Sequence, residues 1–408
     1  MLPRLSRPLV PVLALATWAC LLPGCTPTPE PTDPVVEVEP ATLEEAFARL
    51  NQGDEWFDLP EVNVAPHPAE KYMKGWAIVI DPGHGGHADK PGYKRGPTGV
   101  REAEMNLRVA KLLEQMLSNA GAQVVLTRHE DVASGLKERA EIANNLVRER
   151  DGGVGADFFL SIHFNASPSP KTNWTSVWFH GDPNDSEVGV DVSRYLGHRV
   201  GEALRTQIGV TGILMTDLQM YEGGFGVLRH SNVPAALGEF SFFSNPDEEQ
   251  RLRDAIYNLR CAYAIYVAFC EYNYGGRPTQ TLPTLSPGED AVLLTSTLDE
   301  GLPEWWGSDR TRIFRDSVAV TFNGEDLPIT FDPETNGLSA ELPASVLESA
   351  DQHVVKIRHN NFYKHGNWPQ RYAISQEGEQ WVVSPLGAQR IDNDAEPGGS
   401  LSPAKPRD

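Results

Sequence analysis

Four side chains in this sequence are of the types used in metal-assisted hydrolysis, and three of them stand where an apolar run meets a turn or a helix start. His84 follows the run Ala77-Ile78-Val79-Ile80 and the breaker Asp81-Pro82-Gly83. Four consecutive apolar residues read as a short buried strand, and the proline and glycine end it. His84 is therefore expected on a tight loop at the C-terminal end of a strand, the edge at which open α/β sheets bind ligands. Gly85 and Gly86 let the backbone come close to whatever that histidine holds. Glu102 precedes a stretch in which Leu107, Ala110, Leu113, Met116 and Leu117 recur at helical spacing. An acid at a helix entry can point out of the loop, although it is equally at home there as a solvated partner of the helix dipole. His163 closes a second apolar run, Phe158 to Ile162, and is followed by Asn165 and the turn pair Ser167-Pro168. One histidine at a strand end is ordinarily structural. Two of them, with an acid at a helix entry, make a His/Glu/His set for zinc, which in catalytic sites takes three protein ligands and leaves a fourth position to water. Glu239 is the one acid in the run Val233 to Asn245. A lone acid in an apolar strand is costly without a partner. That partner is either water at a metal or a structural cation such as Arg229 or Arg128.

These residues fall within an ordered series of motifs. Ile80-Asp81-Pro82-Gly83-His84-Gly85-Gly86 comes first, then Glu102 with Asn106 and Leu107, then Leu126-Thr127-Arg128. Leu136, Arg139, Ala143 and Asn144 follow, then Ser161 to Ala166, and finally Glu239 with Ser244 and Asn245. Over residues 75–275 the series resembles the zinc-dependent N-acetylmuramoyl-L-alanine amidases, cell-wall hydrolases of the amidase-3 family. The resemblance implies zinc held by His84, Glu102 and His163, with Glu239 as the catalytic acid/base. It implies a peptidoglycan substrate cleaved at the amide between N-acetylmuramic acid and L-alanine, in wall remodelling or daughter-cell separation. Two positions depart from the family pattern: Ser241 replaces a usual glycine, and Phe164 a usual small or aliphatic residue. Both bear on packing beside the metal and on substrate fit. A catalytically silent wall-binding lipoprotein and a zinc carboxypeptidase-like enzyme are the competing readings, and a protein activator is left open.

The elements needed to position these groups alternate. Strands are expected at 77–80, 124–127, 158–162 and 176–179. Helices are expected at 136–148 and 192–207, with one long helix over 247–272. Alternation of this kind gives an α/β fold with helices on both sheet faces, and the resemblance implies a mixed sheet of the zinc amidase/peptidase type. His180 and His198 lie outside the matched motifs and are read as exposed or structural. His87 is a rival ligand only three residues past His84, but the flexible Gly85-Gly86 pair does not fix it beside that residue.

The chain has 408 residues and a net charge of −21. That length suggests more than one domain, and that charge argues against nucleic acid and against electrostatic attraction to anionic membranes. Residues 1–25 read as a lipoprotein signal, with basic Arg4 and Arg7, an apolar stretch, and Leu22-Pro23-Gly24-Cys25 as a lipobox-like end. A lipid on Cys25, with Thr26 rather than Asp after it, places the protein on the periplasmic face of an outer membrane. Residues 26–74 read as a tether with a short helix near Thr42. Cys261 and Cys270 share one helical run and stand too far apart to bridge, so they are expected as buried thiols. After a Gly/Pro/Thr-rich linker, residues 290–390 read as short strands with an Asn323-Gly324 hairpin turn, forming an immunoglobulin-like β-sandwich. Trp305, Trp306 and Trp368 are candidates for a sugar-stacking surface. Residues 391–408 read as a disordered tail.

Overall fold

The computed structural model describes residues 64–184, 186–206, 212–288, 291–302, 313–343, 347, 352–377 and 380–387. The expected signal with Cys25, the tether up to residue 63, Trp305, Trp306 and the polar tail lie outside the described residues.

Six strands form the central sheet: β1 (Ala77–Pro82), β2 (Gln123–Leu126), β3 (Phe158–Asn165), β4 (Ser176–Phe179), β5 (Ile213–Thr216) and β6 (Ala235–Phe242), in the order β2-β1-β3-β6-β4-β5. All neighbouring pairs are parallel except β4 with β6, so the sheet is mixed, as expected. Its strands are apolar on both faces because both faces are covered. Ile78, Ile80, Phe158, Leu160 and Ile162 face α1 (Glu102–Asn119), α3 (Glu187–Leu204) and α6 (Ala255–Tyr274) in the larger core. The alternate residues Val79, Phe159 and Leu237 face α2 (Leu136–Asn144) and the one-turn α4 (Gly226–Arg229). Each buried Phe, Leu or Ile contributes about 1.5–3 kcal/mol, so the apolar runs bind the layers together.

Several boundaries differ from the expectation. α2 stops at Asn144, four residues early, where the chain turns into a small bridge between Val147 and Val154. The long C-terminal helix is two helices. In α5 (Pro246–Arg253) the Asn245 side chain accepts from the amides of Asp247 and Glu248, and Pro246 occupies the first turn. Asp254 then accepts from Ile256 N and starts α6. Two N-caps in close succession force the break. Cys261 and Cys270 are free and buried on α6. The last part of the expected tether is packed: Glu70–Met73 form a short 3-10 turn, Met73 is fully buried, and Val64 rests on the larger core.

The C-terminal strands form two antiparallel sheets that share one apolar core, with Leu294, Val320, Leu338, Ile357 and Ile374 at its centre. Asn323 and Gly324 both take positive φ between β7 (Ala319–Phe322) and β8 (Glu325–Leu327), the two-residue hairpin expected there. Loop 359–370 then docks onto the α3/α6 face. His365 is buried, which pushes its imidazole down to about 4 and keeps it neutral. Its Nδ1 donates to Gly276 O at 2.8 Å, its Nε2 accepts from the Tyr195 hydroxyl at 2.9 Å, and its ring stacks on Tyr272. Gly366 N donates to Asp191 Oδ2 at 2.7 Å, and Asn361 Nδ2 donates to Gly275 O at 2.8 Å. Trp368, a candidate sugar platform, instead packs against the larger core.

All matched motifs precede residue 276, which by itself implies that residues 60–276 suffice. The docked loop alters that expectation, because truncation strips the cover from Tyr195 and Tyr272 and leaves Asp191 without its amide donor. The truncated chain is expected to unfold roughly 5–10 °C below the full chain. Thermal unfolding followed by circular dichroism checks this, and equal midpoints would show that the docking adds nothing.

Candidate metal centre

The three ligand candidates arrive from different elements at one edge of the sheet. His84 sits on the loop after β1 with φ 59°, and Gly85 and Gly86 continue the left-handed path at φ 119° and 65°. Such a run reverses the chain within a few residues, and only glycine takes two of these positions without strain. Glu102 is the first residue of α1. His163 lies in β3, which continues two residues beyond it to Asn165. Glu239 stands on β6, in register with His163 on the neighbouring strand.

His84 Nε2 is 3.0 Å from Glu102 Oε2, and His163 Nδ1 is 3.1 Å from Glu102 Oε1. The two imidazoles meet edge to face with centroids 4.7 Å apart. One ligand atom from each of the three residues falls within 4.8 Å of the others. Glu102 is only 1% exposed, yet its Oε2 makes no hydrogen bond. Two polar atoms 3.0 Å apart without hydrogen-bond alignment are aimed at a common third point, as metal ligands are. Two imidazole nitrogens and a carboxylate are a donor set suited to zinc, so the residues present fit the implied ion.

Burial alone raises the Glu102 carboxyl, but the His163 and His84 imidazoles more than reverse this and hold it far below the usual carboxylate range. Burial lowers His84, while Glu102 outweighs burial at His163 and raises it. Glu239 behaves oppositely to Glu102: burial, with the Glu102 charge adding to it, pushes its carboxyl up to about 8. Its Oε2 is buried and has no hydrogen-bond partner among the described residues. The structural partners considered for it are engaged elsewhere. Arg128 donates to the carbonyls of Pro82, Gly83 and Ala103 at 2.8, 2.9 and 2.7 Å, and Arg229 donates to Gly223 O.

The remaining motif residues form the frame around these groups. Arg139 donates through Nη1 to Asp81 Oδ1 at 2.7 Å and through Nη2 to His84 O at 2.6 Å. Asp81 also accepts from Thr127 Oγ1 and Ser161 Oγ, both at 2.6 Å. Arg128 ties the His84 loop to the first turn of α1 through Gly83 O and Ala103 O, and Asn106 Nδ2 reaches Gly83 O at 3.0 Å. These side chains appear in the motif series, but their roles follow only from three-dimensional contact. Phe164 is buried edge-on to Phe240, and Ser241 is buried with its hydroxyl unpaired. His87 packs on Tyr93 away from the cluster, and His180 pairs with buried Asp217 at 2.8 Å. Lys94, which no motif singles out, brings its Nζ to 3.9 Å from Glu102 Oε2.

Gly83 offers a direct probe of this geometry. A Cβ there would lie 2.2 Å from His163 Cε1 and Nε2. Gly83→Ala is therefore expected to push the His163 ring aside and weaken zinc binding by about 10–100-fold, the usual cost of a misoriented ligand. Competition with a fluorescent zinc chelator measures this, and wild-type affinity in the variant would show that the ring is not confined.

The comparisons with known proteins converge on the same segment. A family model described as Amidase_3, N-acetylmuramoyl-L-alanine amidase, matches residues 78–271. The chain is 30% identical over 198 residues to N-acetylmuramoyl-L-alanine amidase LytC of Bacillus subtilis, covering 48% of this chain and 36% of that protein. It is 31% identical over 204 residues to a Staphylococcus aureus protein named "Probable cell wall amidase LytH", covering 50% of this chain and 60% of that protein. The chain thus spans about half the length of these curated relatives. A crystal structure of an N-acetylmuramoyl-L-alanine amidase from Clostridium difficile 630 aligns at 28% identity and TM-score 0.41, covering 49% of this chain and 97% of that one. Residues 78–271, the segment that carries all four site residues, are thus similar to the Amidase_3 family of N-acetylmuramoyl-L-alanine amidases.

Proposed function

We propose that this chain is a zinc-dependent peptidoglycan hydrolase that cleaves the amide between N-acetylmuramic acid and L-alanine of the stem peptide. The observation that carries the reading is the buried His84/Glu102/His163 cluster with Glu239 unpaired on the adjoining strand, inside the matched segment. A zinc ion held there supplies Lewis acidity and brings the pKa of water toward neutrality. His84, Glu102 and His163 hold the ion. Glu239 takes a proton from the attacking water and delivers it to the departing amine. Its carboxyl, pushed up to about 8 by burial, suits a group that must exchange a proton near neutral pH. Arg139, Asp81 and Arg128 keep the His84 loop and the start of α1 in fixed relation, so the ligands need little rearrangement on loading.

The same reading places the enzyme outside the cytoplasm, in wall remodelling or daughter-cell separation, lipid-anchored through Cys25 to the periplasmic face of an outer membrane. No helix among the described residues is long and apolar enough to cross a membrane. The paired C-terminal sheets are taken as an immunoglobulin-like module, supported by their antiparallel strands and shared core.

Digestion of purified sacculi followed by mass spectrometry tests the activity, since an amidase releases whole stem peptides and a carboxypeptidase single amino acids. Glu239→Gln keeps shape and removes the base. It is expected to retain near-stoichiometric zinc while turnover falls by roughly two to four orders of magnitude. Loss of its zinc would make Glu239 a ligand, and full turnover would refute the mechanism. Cys25→Ser is expected to move the protein from the membrane to the soluble periplasmic fraction, and unchanged fractionation would sink the anchor.

A further inference from the structure

We propose that Lys94 is a specificity residue that receives a free carboxylate on the peptide side of the scissile amide, so that carboxylate substrates are preferred over their carboxamides. This rests on the hydrolase reading above. Four observations lead to it.

Lys94 is held in place by its own loop. Its φ is 48°, a left-handed conformation that a residue with a Cβ adopts only where the surroundings impose it. Those surroundings are visible. Lys94 O accepts from Glu102 N at 3.0 Å. The neighbouring Arg95 donates to Gly99 O at 3.0 Å and Ala88 O at 2.8 Å, and Arg95 bridges Arg101. The loop is thereby fastened to the start of α1, next to the ligand Glu102.

The Lys94 ammonium faces the centre but remains open. Its side chain is 44% exposed, and its Nζ is 3.9 Å from Glu102 Oε2. Glu102 is its only ion-pair partner among the described residues. Nearby Arg101, by contrast, is taken up by Asp131 and Glu104.

That partner is the carboxylate that a bound divalent cation would neutralise. One carboxylate and two imidazoles would leave a zinc site with net positive charge, and like charges at this range repel. The other acid that feels the ammonium is Glu239, which is itself held up by burial and makes no ion pair with it. A substrate carboxylate supplies the missing anion through a charge-assisted hydrogen bond.

The length also fits. A carboxylate on the second residue lies two residue lengths, about 7 Å, from the scissile nitrogen along an extended peptide, within reach of a lysine side chain on the rim. The chain as a whole carries a charge of −21, so an anionic substrate needs local positive charge to approach.

The test uses the full zinc-loaded chain and two soluble muramoyl-dipeptides that differ only in a free carboxylate or a carboxamide on the second residue. Wild type is expected to show a KM about tenfold lower for the carboxylate, the size of one charge-assisted contact. Lys94→Met is expected to erase that preference by raising KM for the carboxylate alone, with kcat and zinc content unchanged, and Lys94→Arg to restore part of it. Calorimetric binding of the same two ligands to the zinc-loaded Glu239→Gln chain, with and without Lys94→Met, reads the preference without turnover. Equal affinity of the wild-type residue for both ligands would overturn the proposal. A fall in kcat for both substrates would place Lys94 at the reacting amide instead, and loss of zinc would reduce it to a support for Glu102. If neither substrate is cleaved but the binding preference holds, the hydrolase reading fails and the Lys94 assignment stands.

Discussion

The charge on Glu102 is the constraint around which this structure is arranged. A carboxylate with 1% exposure is untenable without compensation, because the desolvation of an isolated buried charge outweighs ordinary packing gains. Here the compensation comes from the His84 and His163 imidazoles at 3.0 and 3.1 Å. Neither supplies a hydrogen bond to Oε2. The carboxylate is therefore balanced in charge and incompletely satisfied in geometry, the condition in which a divalent cation binds most favourably.

Keeping that arrangement demands rigidity from elements far apart in sequence. The His84 loop leaves β1, Glu102 opens α1, and His163 lies on β3; nothing local relates them. Arg139 and Arg128 do so by gripping backbone carbonyls, which unlike side chains cannot swing away. Asp81 serves the same purpose from within the sheet, with its carboxylate shared among Arg139, Thr127 and Ser161. A buried ion pair of this kind is poor value as stabilisation alone. Its use here is orientation, since it positions the main chain that carries His84.

The C-terminal sheets are attached away from this edge. Arg277 pairs with Asp157, and Asp157 precedes β3, so the attachment lies at the opposite ends of the parallel strands from His84 and His163. Its contacts are with α3, the end of α6 and the chain before β1, where Arg277 covers the Trp76 ring. The edge that carries the His84/Glu102/His163 cluster is left free of these contacts while the helical face is closed.

The sequence by itself determined which ligand-type side chains gather at the centre and how the sheet is layered. Its apolar runs cover both faces of β1, β3 and β6, the breaker Asp81-Pro82-Gly83 ends one of them, and the spacing of Leu107 to Leu117 makes a helix that must bury one side. These are local or periodic properties, so they are readable before folding. The helix break at Asp254 was hidden, because a single acid in a helical run signals a cap only when the preceding chain turns. Arg128 stood only as a candidate ion-pair partner for Glu239, and its contacts with the carbonyls of Pro82, Gly83, Ala103 and Glu130 decided otherwise. Lys94 carried no signal at all: on a loop of unremarkable composition, its approach to Glu102 depends on a left-handed turn and on hydrogen bonds to residues several positions away. The docking of loop 359–370 was equally silent, since its buried His365 and Asn361 and half-buried Trp368 carry no signal until α3 and α6 are placed beneath them. What tertiary structure alone decided is which polar groups meet across the chain, because that depends on distance in space and leaves no period in the sequence.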